Sequence, residues 1–363
     1  MKNKLVPARV SPPGQIISRE LAAREWTQKD LAEIINRPEQ TISAIVKGTK
    51  QITPETALEL ASAFGTSAEF WTNLESNYRL FLARSAPKND EIQRKSKLYE
   101  FAPIAEMAKR RWINLEDSID GLEKQVFTFF GIDSIEATPQ LQINFRCSRE
   151  KTPETIAQLA WVKRVESITI GQSLPAFDLA KFKAKVPEIL ALNIDPTNIS
   201  LLPQMLMDLG VHFVIIPHLP KTYLDGATFW LNERPVIAMT LRYDRIDYFW
   251  FTLMHEIAHI WLEHQGYFLD DIKNIEDTPL EKEADSKAAD WLCPHGLLAE
   301  FLATNRRLSK EAIAEFARSQ NIHPGIIVGR LQKIGKVPYQ HHRKFLVKVK
   351  QQLPEWVYGD ALA

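Results

Sequence analysis

FTLMHEIAHIWLEH, residues 251–264, sets His255, Glu256 and His259 in an H-E-x-x-H pattern inside an apolar run. On an α-helix, positions i and i+4 share a face, so both imidazoles can grip one ion. Glu256 lies beside the first of them, within reach of a water on that ion. Leu253, Met254, Ile257, Ala258, Ile260 and Trp261 flank the three. They would bury the helix and keep water from the site, so the pattern predicts one long internal helix over about 245–264.

A catalytic zinc takes three protein ligands and keeps a fourth position open. LEKEADSKAADWLCP (280–294) is the best source of the third, on a helix that starts near Glu281. Glu281 and Asp285 are four apart and share a face. That spacing suits a carboxylate ligand followed, one turn on, by an acceptor that orients a ligand histidine through its other ring nitrogen. Glu283 points away from Asp285 and is the fallback ligand. His264, five residues past His259 on the same helix, is poorly placed for the same ion. Zinc would acidify a water and polarise a scissile carbonyl. Glu256 would take the proton and return it to the leaving amine. Tyr243 is the first candidate to stabilise the oxyanion, with Arg245 and His264 behind it.

Upstream, VHFVIIP (211–217), ATFWL (227–231) and PVIAMTL (235–241) are β-branched or aromatic runs separated by turn residues, notably Asp225-Gly226. They predict a small sheet. Residues 112–205 read as mainly helical; TPETIAQLAWVKRVE (152–166) starts with Thr, Pro and Glu in the order of a helix N-terminus. Residues 83–111 hold Lys88, Arg94, Lys95, Lys97, Lys109, Arg110 and Arg111, and are expected to form a basic linker or exposed helix pair.

The first 82 residues predict five short helices. One follows Pro12-Pro13-Gly14; the second is capped by Thr27, with Asp30 three residues on. Asn36-Arg37-Pro38 makes a tight corner, which asparagine suits because it tolerates the left-handed conformation. EQTISAIVKG follows, stopping at Gly48, then a helix capped by Thr53 that ends at Gly65, then one opened by Ser67. Helices at 27–35 and 39–48 have helix-turn-helix spacing. Gln40, Thr41 and Ser43 are then the base-facing candidates, with Lys47 and Lys50 near phosphates. Eleven Lys and Arg against nine Asp and Glu give residues 1–85 a charge of +2.

The whole chain has 363 residues with forty-five basic and forty-five acidic side chains, so its net charge is zero. That excludes a polyanion-coating protein and an acidic solvating chain. Cys147 and Cys293 are the only cysteines and fit no CxxC spacing, which excludes a disulfide-stapled fold and a cysteine-rich zinc finger. MKNKLVPARVSPPG at the start has no apolar core of a signal peptide. YFWFTLMHEIAHIWL (248–262), the most apolar stretch, carries two His and a Glu that a bilayer tolerates poorly. A cytoplasmic protein with no membrane partner is expected.

Residues 11–82, with the runs ITPETALELA and GTSAEFWTNL, resemble the helix-turn-helix domain of HigA-type antitoxins and other Xre-family regulators. They depart from the broader Xre pattern at Arg37, usually apolar, at Pro38, usually a Ser or Thr cap, and at Glu39, usually basic or polar. Residues 205–335 resemble the ImmA/IrrE metallopeptidases, through LDGATFW, RPVIAMTL, FTLMHEIAHIWLEH, EKEADSKAADWLCP and HPGIIVGRLQ. That resemblance implies His255, His259 and Glu281 as zinc ligands and Glu256 as catalytic base. Asp285 stands where the family usually has Asn, and Cys293 where it often has Met, in a packed apolar site. The family includes peptidases that cleave Xre-type repressors.

The expected architecture is multidomain. A helix-turn-helix bundle (1–82), a basic linker (83–111) and a helical middle region (112–205) precede an α+β zincin-like metallopeptidase domain (206–335) and a helical tail (336–363). The expected function is a DNA-binding transcriptional regulator fused to a zinc endopeptidase. It would bind double-stranded operator DNA as a homodimer, hold one Zn2+ per chain, and cut a regulatory protein or itself. A repressor or toxin encoded by an adjacent gene is the expected kind of substrate. The alternative is a HigA-like antitoxin or repressor whose metallopeptidase domain binds a partner without cleaving it.

Overall fold

A computed structural model describes residues 10–84, 88–115, 118–137, 153–264, 268–271 and 278–357. The chain divides into two compact units, residues 1–95 and 96–363.

The first unit is built from α1 (Pro13–Ala23), α2 (Gln28–Ile34), α3 (Glu39–Val46), α4 (Pro54–Phe64) and α5 (Ala68–Arg84), and takes in the start of α6 (Lys88–Phe101). Local chemistry sets the boundaries. Thr27 and Asp30 form a reciprocal capping box on α2, and Thr53 caps α4. Asn36 takes φ 50° at the corner between α2 and α3. Ile17, Leu21, Leu31, Ile42, Ile45, Leu60, Phe64 and Trp71 form the core. A Cβ at Gly14 would collide with the backbone of Val46, so α1 and α3 touch where only glycine fits.

The second unit surrounds a four-stranded sheet. Its helices are the rest of α6, then α7 (Ile104–Lys109), α8 (Ile119–Phe130), α9 (Pro153–Thr169), α10 (Leu179–Ala191) and α11 (Leu202–Asp208) before the first three strands. After those strands come α12 (Ile246–Trp261), α13 (Pro279–Leu292), α14 (His295–Thr304), α15 (Lys310–Ser319) and α16 (Pro324–Lys333). The strands β1 (His212–Ile215), β2 (Leu224–Leu231), β3 (Arg234–Met239) and β4 (Phe268–Asp271) lie in the order β1-β3-β2-β4. β1 runs parallel to β3, and β2 is antiparallel to both its neighbours.

Both faces of the sheet are covered, which explains its nearly continuous apolar runs. Phe213, Ile215, Ile237 and Met239 pack with α12 and with α10, α11 and α16. Val214, Ile216, Phe229, Val236 and Ala238 face the other way, against Leu98 of α6, Met107 of α7, Val126 and Phe130 of α8, and Trp161 and Val165 of α9. Residues 112–205 therefore supply helices to both faces of one sheet. Trp161 donates its indole N–H to the Ile216 carbonyl at 3.0 Å, and Arg110 donates to the carbonyls of Pro217 and His218 at 2.7 and 2.8 Å. The tail to residue 357 has three single 3-10 turns in place of α-helices, with Val349 and Leu353 buried in the α12-side core.

Asp225-Gly226 is not a turn. Both residues lie inside β2, where Gly226 pairs with Met239. The reversal falls at Asn232-Glu233, with φ 48° and 63°, the left-handed pair that a tight hairpin requires. Among the described residues, no helix is long and apolar enough to cross a membrane.

Candidate metal centre and nucleic-acid interface

α12 is buried along most of its length, and its apolar residues carry His255, Glu256 and His259 into the interior. α13 packs against it and is capped by Thr278, whose hydroxyl accepts the N–H of Glu281 at 3.2 Å. That cap fixes Glu281 in the first turn, facing the two histidines. His255 Nε2 lies 3.0 Å from His259 Nε2 and 3.0 Å from Glu281 Oε2, and His259 Nε2 lies 3.4 Å from the same oxygen. Zinc arms of 2.0–2.1 Å in a tetrahedron demand ligand separations of about 3.3 Å. The three donors therefore span one triangular face of such a site, and their chemistry, two imidazoles and a carboxylate, suits zinc.

Electrostatics favour the ionised carboxylate. Burial raises the carboxyl pKa of Glu281, but hydrogen bonds from His255 and His259 outweigh it and hold the group at about 2. For His259, burial dominates and pushes the pKa down, which favours the neutral form that a metal ligand needs.

The other ring nitrogens are held as well. His255 Nδ1 lies 2.9 Å from Asp285 Oδ1. His259 Nδ1 lies 3.0 Å from His264 Nδ1, and His264 Nε2 lies 3.5 Å from Glu283 Oε2. Phe268 stacks on the His259 ring at 4.1 Å. Glu283 and His264 thus stand behind His259, away from the convergence point.

Glu256 is fully buried beside β2. A Cβ at Gly226 would lie 2.8 Å from the Thr252 methyl and 3.2 Å from the Glu256 carboxyl carbon, and closer still to Oε1. Glycine inside this strand is what admits the carboxylate. Thr228 of the same strand donates to the Glu256 carbonyl at 3.2 Å.

Tyr243 lies just before α12. Its half-exposed ring lies 4.4 Å from that of Tyr248, two helical turns before Glu256, beside a cleft lined by Asp225, Arg242 and Thr252. Arg245 pairs with Asp247 at 2.7 Å and donates to Gln332 at 3.2 Å. Cys293 is buried and its thiol is pushed up by burial, the state of a packing residue. Cys147 lies outside the described residues.

In the first unit, α3 presents Gln40 to solvent, and Lys47 and Lys50 are exposed just beyond it; Thr41 and Ser43 are half-buried. Arg37 makes a bidentate pair with Glu59 of α4, with contacts of 2.9–3.2 Å. A charged residue at this usually apolar corner therefore ties the turn to α4.

Residues 17–71 match the helix-turn-helix family model, and residues 207–322 match the peptidase M78 model, the IrrE N-terminal-like domain. The uncharacterized HTH-type transcriptional regulator YbaQ of Escherichia coli K12 is 28% identical over 100 residues, covering 27% of this chain and 84% of that protein. An uncharacterized HTH-type regulator of Haemophilus influenzae is 38% identical over 69 residues, 19% of this chain and 64% of that protein. Among solved structures, an addiction module antidote protein of the HigA family from Coxiella burnetii is 38% identical. The match covers 21% of this chain and 83% of that one, with a TM-score of 0.20. The Pseudomonas aeruginosa antitoxin HigA, solved with the higBA promoter, is 32% identical over 23% of this chain and 90% of that one, with a TM-score of 0.22.

Proposed function

We propose that this chain, a helix-turn-helix domain followed by an IrrE N-terminal-like domain, is a DNA-binding transcriptional regulator with a zinc endopeptidase that cleaves a regulatory protein or itself. The observation that carries the reading is the meeting of His255 and His259 of α12 with Glu281 of α13 at ligand-to-ligand distances suited to zinc, beside the buried Glu256. Zinc, when bound, supplies Lewis acidity toward a water and a scissile carbonyl. His255, His259 and Glu281 would hold it. Asp285 orients His255. Glu256 would accept a proton at its carboxylate and deliver it to the leaving amine. The dry apolar wall of α12 keeps bulk water from the reacting groups.

Operator recognition rests on α3. Gln40 is free to read a base edge, and Lys47 and Lys50 to approach phosphates. The match of residues 17–71 to the helix-turn-helix family model and the similarity to HTH-type transcriptional regulators support this half of the reading.

The test compares new N-termini in cells that produce the wild-type chain or Glu256→Gln, by quantitative mass spectrometry. The expected result is a cleavage, in a regulatory protein or in the chain itself, that needs intact Glu256 and is lost with a chelator. Identical N-termini in both strains, with operator binding intact, would contradict the peptidase and leave a repressor or antitoxin.

A further inference from the structure

The end of α12 folds back on the metal centre. The helix stops at Trp261, Glu263 takes the left-handed conformation with φ 59°, and His264 donates its backbone N–H to the His259 carbonyl at 3.0 Å. A helix end of this kind usually has glycine at the left-handed position. Here it is a glutamate, held by Lys183 Nζ of α10 at 2.9 Å. The turn returns the side chain of His264, five residues on, to the ring of His259, and buries it.

We infer that His264 is a positioning residue for the metal centre: its Nδ1 accepts the Nδ1–H of His259 and thereby fixes the tautomer and ring plane that offer His259 Nε2 to the ion. The inference rests on reading His255, His259 and Glu281 as a metal site. Once His259 Nε2 uses its lone pair on an ion, the ring proton must sit on Nδ1. Among the described residues the group facing that proton is His264 Nδ1, 3.0 Å away. Accepting it places the proton of His264 on Nε2, the atom 3.5 Å from Glu283. Burial explains why an imidazole stands between ligand and carboxylate. His259 is fully buried under Phe268, and the His264 imidazole spans the distance to Glu283, whose side chain is 57% exposed. His255 lies nearer the surface and takes Asp285, 51% exposed, directly. The two ligand histidines are thus supported by different acceptors, one anionic and one neutral.

The test measures zinc affinity of the full-length chain by competition with a chromogenic chelator, together with the thermal midpoint of the metal-free protein. His264→Ala should weaken zinc binding by about 10- to 100-fold, the usual cost of losing such support. His264→Asn, whose amide oxygen can accept the same proton, should recover most of it. The metal-free midpoints of the two variants should match, since packing alone would not distinguish them by an acceptor. Should His264→Ala not fold, His264→Phe, which fills the space without an acceptor, takes its place. Wild-type zinc affinity in the acceptor-free variant, or equal losses in it and His264→Asn, would overturn the inference while leaving the metal site intact. A wild-type chain that binds no zinc would overturn both.

Discussion

Gly226 lies against the carboxylate of Glu256, so β2 approaches α12 at a point where a side chain of any size would displace the proposed base. Gly226→Ala should leave His255, His259 and Glu281 in place and retain zinc at the wild-type stoichiometry. It should lower Glu256-dependent cleavage by roughly 100-fold, the scale of cost for a misplacement near 1 Å. Cleavage at the wild-type rate by a folded Gly226→Ala chain would show that the contact does not position Glu256.

The Arg37–Glu59 pair gives the corner of the first unit a structural duty distinct from base reading. Both side chains are about one-third exposed, so Arg37→Ala should cost little stability, read as a small shift in urea midpoint. Gln40→Ala should leave stability unchanged and relax sequence preference on DNA. Lys47→Ala should weaken every sequence alike and reduce the salt slope by about 1, measured by fluorescence anisotropy across a salt series. Unchanged preference in Gln40→Ala would move the recognition surface off this face of α3.

His212 at the start of β1 gives the second unit a pH dependence. Burial, reinforced by the Arg234 guanidinium, lowers its pKa to about 4, while Gln172 bonds its Nδ1 at 2.9 Å. The unfolded chain binds this proton near pH 6.5, so between about 6.5 and 4 the unfolded state holds more protons than the folded one. Stability is therefore full above pH 6.5 and falls as the pH drops toward 4. His212→Gln should flatten part of that fall in urea titrations at pH 7 and pH 4.5. An unaltered slope would assign the pH dependence to other groups.

Much of this was legible in short-range chemistry. Thr27 with Asp30, Asn36 and Thr53 mark boundaries that depend on neighbours a few residues away. The four-residue spacings of His255 with His259 and of Glu281 with Asp285 put each pair on one helix face. What stayed hidden depends on contacts distant in sequence. Asp225-Gly226 reads as a turn because Asp-Gly so often makes one; the glycine is there for a carboxylate thirty residues on. Arg37 looks like a misfit until Glu59 of α4 is seen beside it. His264 could not be assigned from helical spacing, since its place depends on the left-handed residue that ends the helix. The helices of 112–205 show apolar faces, but nothing local says that α8 and α9 cover one side of the sheet while α10 and α11 cover the other.

Metal content tests the central reading most directly. Elemental mass spectrometry of the purified full-length chain should find about one zinc per chain. His259→Ala and Glu281→Ala should each lose it while remaining folded by circular dichroism. A folded wild-type chain that holds no zinc after loading, or both variants retaining it, would contradict the metal centre and the peptidase with it.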